Sequence, residues 1–206
     1  MLTVAIVYHS GFGHTDILAR AVAQGVGEAG GTPDLLRIAP EQADFADAFN
    51  RIARADAVIF GSPTYMGTVS APMKAFMDAS ARPYFAKAWK DKMAAAFTVS
   101  GSPSGDKLNT LTTLAIFAAQ HGMLWIGTGQ APGNNDDLSA ATEAENRLGS
   151  FLGAMGQGPG QIQESFAWRV RLLVALGNFS LVFRCFGKVF TYFFAMIVMC
   201  SYTFSL

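Results

Sequence analysis

Near the start of the chain, Ser10-Gly11-Phe12-Gly13-His14-Thr15 sets two glycines, two hydroxyls and an imidazole directly ahead of a helical pattern beginning at Asp16. Such a loop suits an anion. Its backbone N–H groups and the helix N-terminus converge on one point, glycine lets the backbone approach closely, and Ser10 and Thr15 add hydroxyl donors. The loop carries no lysine, unlike the phosphate loop of nucleoside triphosphatases. A phosphate there would be neutralised by dipoles and hydroxyls alone, which fits the monoester of a mononucleotide better than a triphosphate. Gly11-x-Gly13 also lacks the third glycine of the dinucleotide fingerprint, and no acidic residue is well placed at the end of a second strand. Two further segments share this character, Ser62-Pro63-Thr64-Tyr65-Met66-Gly67 and Ser100-Gly101-Ser102-Pro103-Ser104-Gly105. If all three lie together, they form a pocket with a phosphate end and a flat polar end.

The elements around these loops predict that they do. Leu2, Val4, Ala5, Ile6 and Val7 form a near-continuous apolar run, as a strand covered on both faces requires. A helix over 16–29 stops at Gly30-Gly31, and a second strand follows at 34–38. Pro40 opens an amphipathic helix over 41–54 with Phe45, Ala48, Phe49 and Ile52 on one face. A third strand at 57–60 ends in the turn-rich loop 61–67, ahead of a helix over 71–78. Strands at 93–99 and 123–127 flank a helix over 107–120 whose stripe of Leu111, Leu114, Ile116 and Phe117 belongs to the core. This alternation predicts an α/β fold, a doubly wound parallel sheet with right-handed crossovers and helices on both faces. In such a sheet ligands sit beyond the carboxyl ends of the strands, where all three loops fall.

The 206 residues allow one domain and a tail. Through residue 150 there are 11 Lys and Arg against 14 Asp and Glu, and beyond it 4 against 1, so a mildly acidic body precedes a basic, apolar tail. No basic face suggests a nucleic-acid partner. His9, His14 and His121 have no metal-ligand spacing, and no metal is expected. Both cysteines, Cys185 and Cys200, fall in the tail, which points to a reducing, cytoplasmic setting, as does the lack of a charged leader.

The chain resembles the flavodoxin-like NAD(P)H:quinone oxidoreductases of the tryptophan-repressor-binding-protein family. The matching residues are Ser10 to Thr15, Gly61 to Asp78, Ser100 to Gly105, His121 to Met123 and Asn146 to Gln157. The resemblance implies a five-stranded sheet of order 2-1-3-4-5 over 1–157. It implies FMN, with its phosphate in the loop of Ser10, Gly11, Phe12, Gly13, His14 and Thr15. The isoalloxazine would lie against Pro63, Thr64, Tyr65, Met66 and Gly67. Ser100, Gly101, Ser102, Pro103 and Ser104 would close over the ring, and His121 would stand beside it to steady charge. NADH or NADPH and a quinone would use the open face in turn, near Phe12 and Tyr84. The family's oligomers imply a dimer or tetramer. The expected reaction passes two electrons from NAD(P)H to the quinone; the alternative is a flavodoxin-type electron carrier docking on redox proteins. Trp89 and Lys90 are expected at the surface or an interface.

After Gln157 the family pattern ends, and residues 158–206 form a divergent tail. Ile162, Phe166, Val170, Leu173 and Leu176 can share one face of a replacement helix over 161–176. Within the apolar segment 179–206, Val189 to Leu206 carries no charge and follows Arg184 and Lys188. It is at the lower limit for a membrane anchor. A packed helix or a non-native C-terminus are the other readings.

Overall fold

The computed structural model describes residues 1–132 and 146–158. β1 (Thr3–His9) lies between β2 (Thr32–Ile38) and β3 (Ala57–Tyr65), parallel to both. From the end of β3 the chain turns back as β4 (Thr68–Val69), antiparallel to it. β5 (Met93–Ser100) pairs in parallel with the other side of β3. The far edge is built from two pieces: β6 (Leu124–Trp125) pairs with the start of β5, and β7 (Ala154–Gln157) with its end. The order β2-β1-β3-β5-β6 is the expected 2-1-3-4-5 arrangement, with the fifth position shared between β6 and β7. A single strand over 123–127 was the expectation; instead the chain leaves the edge after Trp125 and returns to it at Ala154. The family motif at 146–157 therefore contains a strand.

Among the described residues, five helices join these strands: α1 (His14–Glu28), α2 (Ala46–Arg54), α3 (Ala71–Ala79), α4 (Ala81–Phe85) and α5 (Lys107–Gln120). Alternate strand residues face opposite sides. Ala5 and Val7, Val58 and Phe60, and Ala94 and Ala96 share one core with Ile52, Met73, Phe76, Leu111, Leu114 and Phe117 from α2, α3 and α5. The opposite face, with Ile6 and Ile59, meets α1 through Leu18 and Val22.

Local chemistry moves several boundaries. α2 begins at Ala46 because Asp44 caps the Ala46 amide at 2.8 Å, while Gln42 accepts from the Ala39 amide and donates to the Asp44 carbonyl. β3 runs on to Tyr65 because Gly61, Ser62 and Pro63 keep register with Phe97, Thr98 and Val99. Gly61 is required there: a Cβ would lie 2.2 Å from the Phe97 ring. Trp89 is no surface residue. It is fully buried and stacks on Phe76 at 6.3 Å. Ile116, expected in the core, is exposed on α5. Among the described residues no helix is long and apolar enough to cross a membrane. The expectations for 161–176, for 179–206 and for Cys185 and Cys200 lie outside the described residues.

Candidate functional site

Ser10 follows β1 directly and is buried, its Oγ accepting the Asp16 amide at 3.1 Å and so capping the first turn of α1. Gly13 holds φ +88°, in the left-handed region that favours glycine, and turns the chain into the helix. The amides of His14 and Thr15, in that first turn, have no intrahelical acceptor. The Asp16 carboxylate is committed elsewhere, to the Tyr8 hydroxyl at 2.6 Å and Arg20 at 2.8 Å. Burial opposes its ionisation, but these two hydrogen bonds together with the charges of Arg20 and Arg37 outweigh it and lower the pKa. Burial and Asp16 push the Tyr8 phenol up to about 12. Dipoles and hydroxyls are not the loop's sole sources of positive potential. Arg37, on β2 beside Tyr8, donates to the Ser10 carbonyl at 3.3 Å and sets a cation against the loop. Free amides, a positive helix end and a guanidinium fit a phosphate monoester.

The second loop is a hairpin tip. Met66 and Gly67 take φ 47° and 87°, the pair of positive values a two-residue turn between β3 and β4 demands. Pro63 is buried in β3, and Thr64 Oγ1 bonds Thr98 and Thr110, each at 2.8 Å, so these two form the floor. Tyr65 and Met66 stand out from it. The Tyr65 hydroxyl lies so close to Gly11 that a Cβ there would be 2.5 Å away, and its ring meets Phe12 edge-on at 6.1 Å. Phe12 is 83% exposed and Met66 fully exposed.

Lys107, at the first position of α5, holds the third loop. Its Nζ donates to Ser100 Oγ at 2.8 Å and to the Ser102 carbonyl at 2.6 Å, and the side chain is fully buried. Burial first, and then Arg147, pushes its pKa down to about 8. Gly101, Ser102, Pro103 and Ser104 are exposed above it, and Gly105 closes the loop at φ +52°. Past β7, the Gly158 amide donates to the Ser100 carbonyl at 3.0 Å, and a Cβ on Gly158 would lie 3.4 Å from His14 Nδ1. The third loop thus meets the first through Gly158, and the second meets the first through Tyr65. Neither Arg37 nor Lys107 was among the sequence candidates. The readable signal for Lys107 was a cation in the first turn of a helix, where the dipole disfavours it, just after a Ser/Gly loop.

His121 and Tyr84 are elsewhere. α5 runs back from the third loop for 14 residues, about 20 Å, so His121 reaches the amino ends of the strands, where Leu124 pairs with Met93. There it packs against Trp89 at 4.3 Å, Phe117 at 4.8 Å and Tyr84 at 5.9 Å. Ser80 donates its hydroxyl to the Met77 carbonyl at 2.7 Å, so His121 Nε2–H donates to Ser80 Oγ at 2.9 Å. Its Nδ1 is buried without a partner among the described residues. Burial pushes its pKa down to about 4. The expectation of His121 and Tyr84 beside the ring is therefore not met within one chain: the structure brings the two together, but at the far end of the sheet. Among the described residues no group of side chains could hold a metal.

The sequence model of the NADPH-dependent FMN reductase family matches residues 12–137. The chain belongs to this family. It is 38% identical over 160 residues to flavodoxin FldP of Pseudomonas aeruginosa, covering 77% of this chain and 83% of the relative. An NAD(P)H dehydrogenase (quinone) of Archaeoglobus fulgidus is 30% identical over 177 residues, covering 77% and 87%. The crystal structure of a flavodoxin, WrbA-like protein from Agrobacterium tumefaciens superposes with a TM-score of 0.66 at 36% identity, over 86% of this chain and 96% of that one. This NADPH-dependent FMN reductase family member is accordingly a flavodoxin-like oxidoreductase that works with FMN and NAD(P)H.

Proposed function

We propose that the protein passes two electrons from NADH or NADPH to a quinone through FMN. The observation that carries this reading is the meeting of three loops under an open, apolar rim of Phe12, Tyr65 and Met66. Bound FMN would supply the electron chemistry, and the chain would supply position and electrostatics. Ser10, Gly11, Phe12, Gly13, His14 and Thr15, backed by Arg37, would hold the phosphate. Tyr65, Met66 and Gly67, on the floor of Pro63 and Thr64, would flank the ring, and Ser100 to Ser104 would cover it. Phe12 would border the open face where nicotinamide and quinone alternate. A role for Tyr84 or His121 at a flavin requires a second copy of the chain, and light scattering of the holoprotein tests for a dimer or tetramer. The test of the reading itself is NAD(P)H oxidation by purified protein with FMN and benzoquinone; no turnover overturns it.

A second reading, an electron carrier, has the flavodoxin relative in its favour. Carriers present an acidic docking rim, whereas the projecting side chains here are apolar. Stepwise reduction of the holoprotein separates the two: a one-electron stage that accumulates favours the carrier, and its absence favours the enzyme.

A further inference from the structure

We propose that Lys107 is the positioning residue that closes the Ser100–Gly105 loop over FMN and makes the site favour the two-electron-reduced, anionic cofactor over the oxidised one. This rests on the FMN reading above. Two donors of one ammonium tie Ser100 Oγ, at the root of the loop, to the Ser102 carbonyl within it. A neutral side chain could hold the loop as well, so the charge needs its own account. It sits fully buried at the positive end of α5, Arg147 adds like charge, and no carboxylate pairs with it among the described residues. A buried cation is costly unless an anion compensates it. FMN that takes up two electrons and one proton gains one negative charge, and a fixed cation at the loop covering the ring favours that form. The cofactor phosphate has its own donors at the first loop, where Arg37 stands.

The test uses the full chain with FMN and compares the wild type with Lys107→Met and Lys107→Arg. The quantity is the ratio of affinities for reduced and oxidised FMN, read from the midpoint potentials of bound and free cofactor. Lys107→Met should lower the ratio at least tenfold, a fall of about 30 mV for a two-electron couple, and Lys107→Arg should keep most of it. The same loss should appear with riboflavin. A ratio unchanged in Lys107→Met, or a loss seen with FMN but not with riboflavin, would overturn the proposal, the latter by showing that the ammonium serves the phosphate. If Lys107→Met does not fold, the wild type decides. Its ratio should fall between pH 7 and pH 10 as the lysine loses its proton, with Arg147 the charged group that acts on it, and a constant ratio overturns the proposal. A wild type that binds no flavin at all refutes the FMN reading, a different outcome from flavin bound with an unchanged ratio.

Discussion

Replacing His121 by Leu should remove a large part of the acid sensitivity of this fold. The imidazole donates Nε2–H to Ser80 and buries Nδ1 among Trp89, Phe117 and Tyr84, so a second proton would find no acceptor. Burial holds its pKa at about 4, against 6.5 when unfolded. Between those values the unfolded chain binds a proton that the folded chain refuses, so stability falls as pH drops below 6.5 and the loss levels off below about 4. At about 1.36 kcal/mol per pKa unit the full penalty is roughly 3 kcal/mol, of which roughly 2 kcal/mol is felt between pH 7 and pH 4.5. Against a typical stability of ~5 to 15 kcal/mol that is readily measured. The assay is urea unfolding of wild type and His121→Leu at both pH values. The variant loses packing and a hydrogen bond at every pH, so only the difference in pH dependence is read. His9, whose pKa is also lowered by burial and by Arg37, stays in both proteins and cancels. Equal acid sensitivity in the two would refute the reasoning, because it would mean that His121 is hydrated or paired in the fold.

At the first loop, Thr15→Ala should weaken FMN by roughly ten- to a hundredfold, the loss of a hydroxyl to a charged acceptor at about 1.5 to 3 kcal/mol, and leave riboflavin nearly unaffected in a fluorescence titration. Ser10→Ala should in addition lower stability by about 1 kcal/mol in chemical denaturation, because its Oγ caps the Asp16 amide. Gly61→Ala forces a methyl into the Phe97 ring and should cost about 1 to 3 kcal/mol by the same measurement, with no new strain in φ. Gly105→Ala would drive a Cβ to within 2.0 Å of Ser100 Oγ at a positive φ, so it should displace Ser100 from Lys107 and weaken FMN and riboflavin alike.

The strand order came from the family resemblance, whereas by itself the sequence determined the layered α/β plan and the meeting of the three loops. Both of the latter follow from local signals: apolar runs of strand length, helical stripes, and Gly/Ser/Thr clusters at the carboxyl ends of strands, which a parallel sheet must gather on one side. What it could not determine were relations between residues far apart in the chain. The return of Ala154–Gln157 to the edge opened after Trp125 is invisible to periodicity, because a four-residue strand has no period to read. Trp89 looked like a surface residue because the rings that enclose it, Phe49, Phe76, Phe117 and His121, come from other parts of the chain. The His121 motif matched the family, yet the length and direction of α5 carry it to the far end of the sheet. Arg37 and Lys107 escaped notice because a lone cation has no motif. Arg37 becomes part of the site only through the register of β2 on β1, and Lys107 only because α5 starts where the third loop folds back over its ammonium.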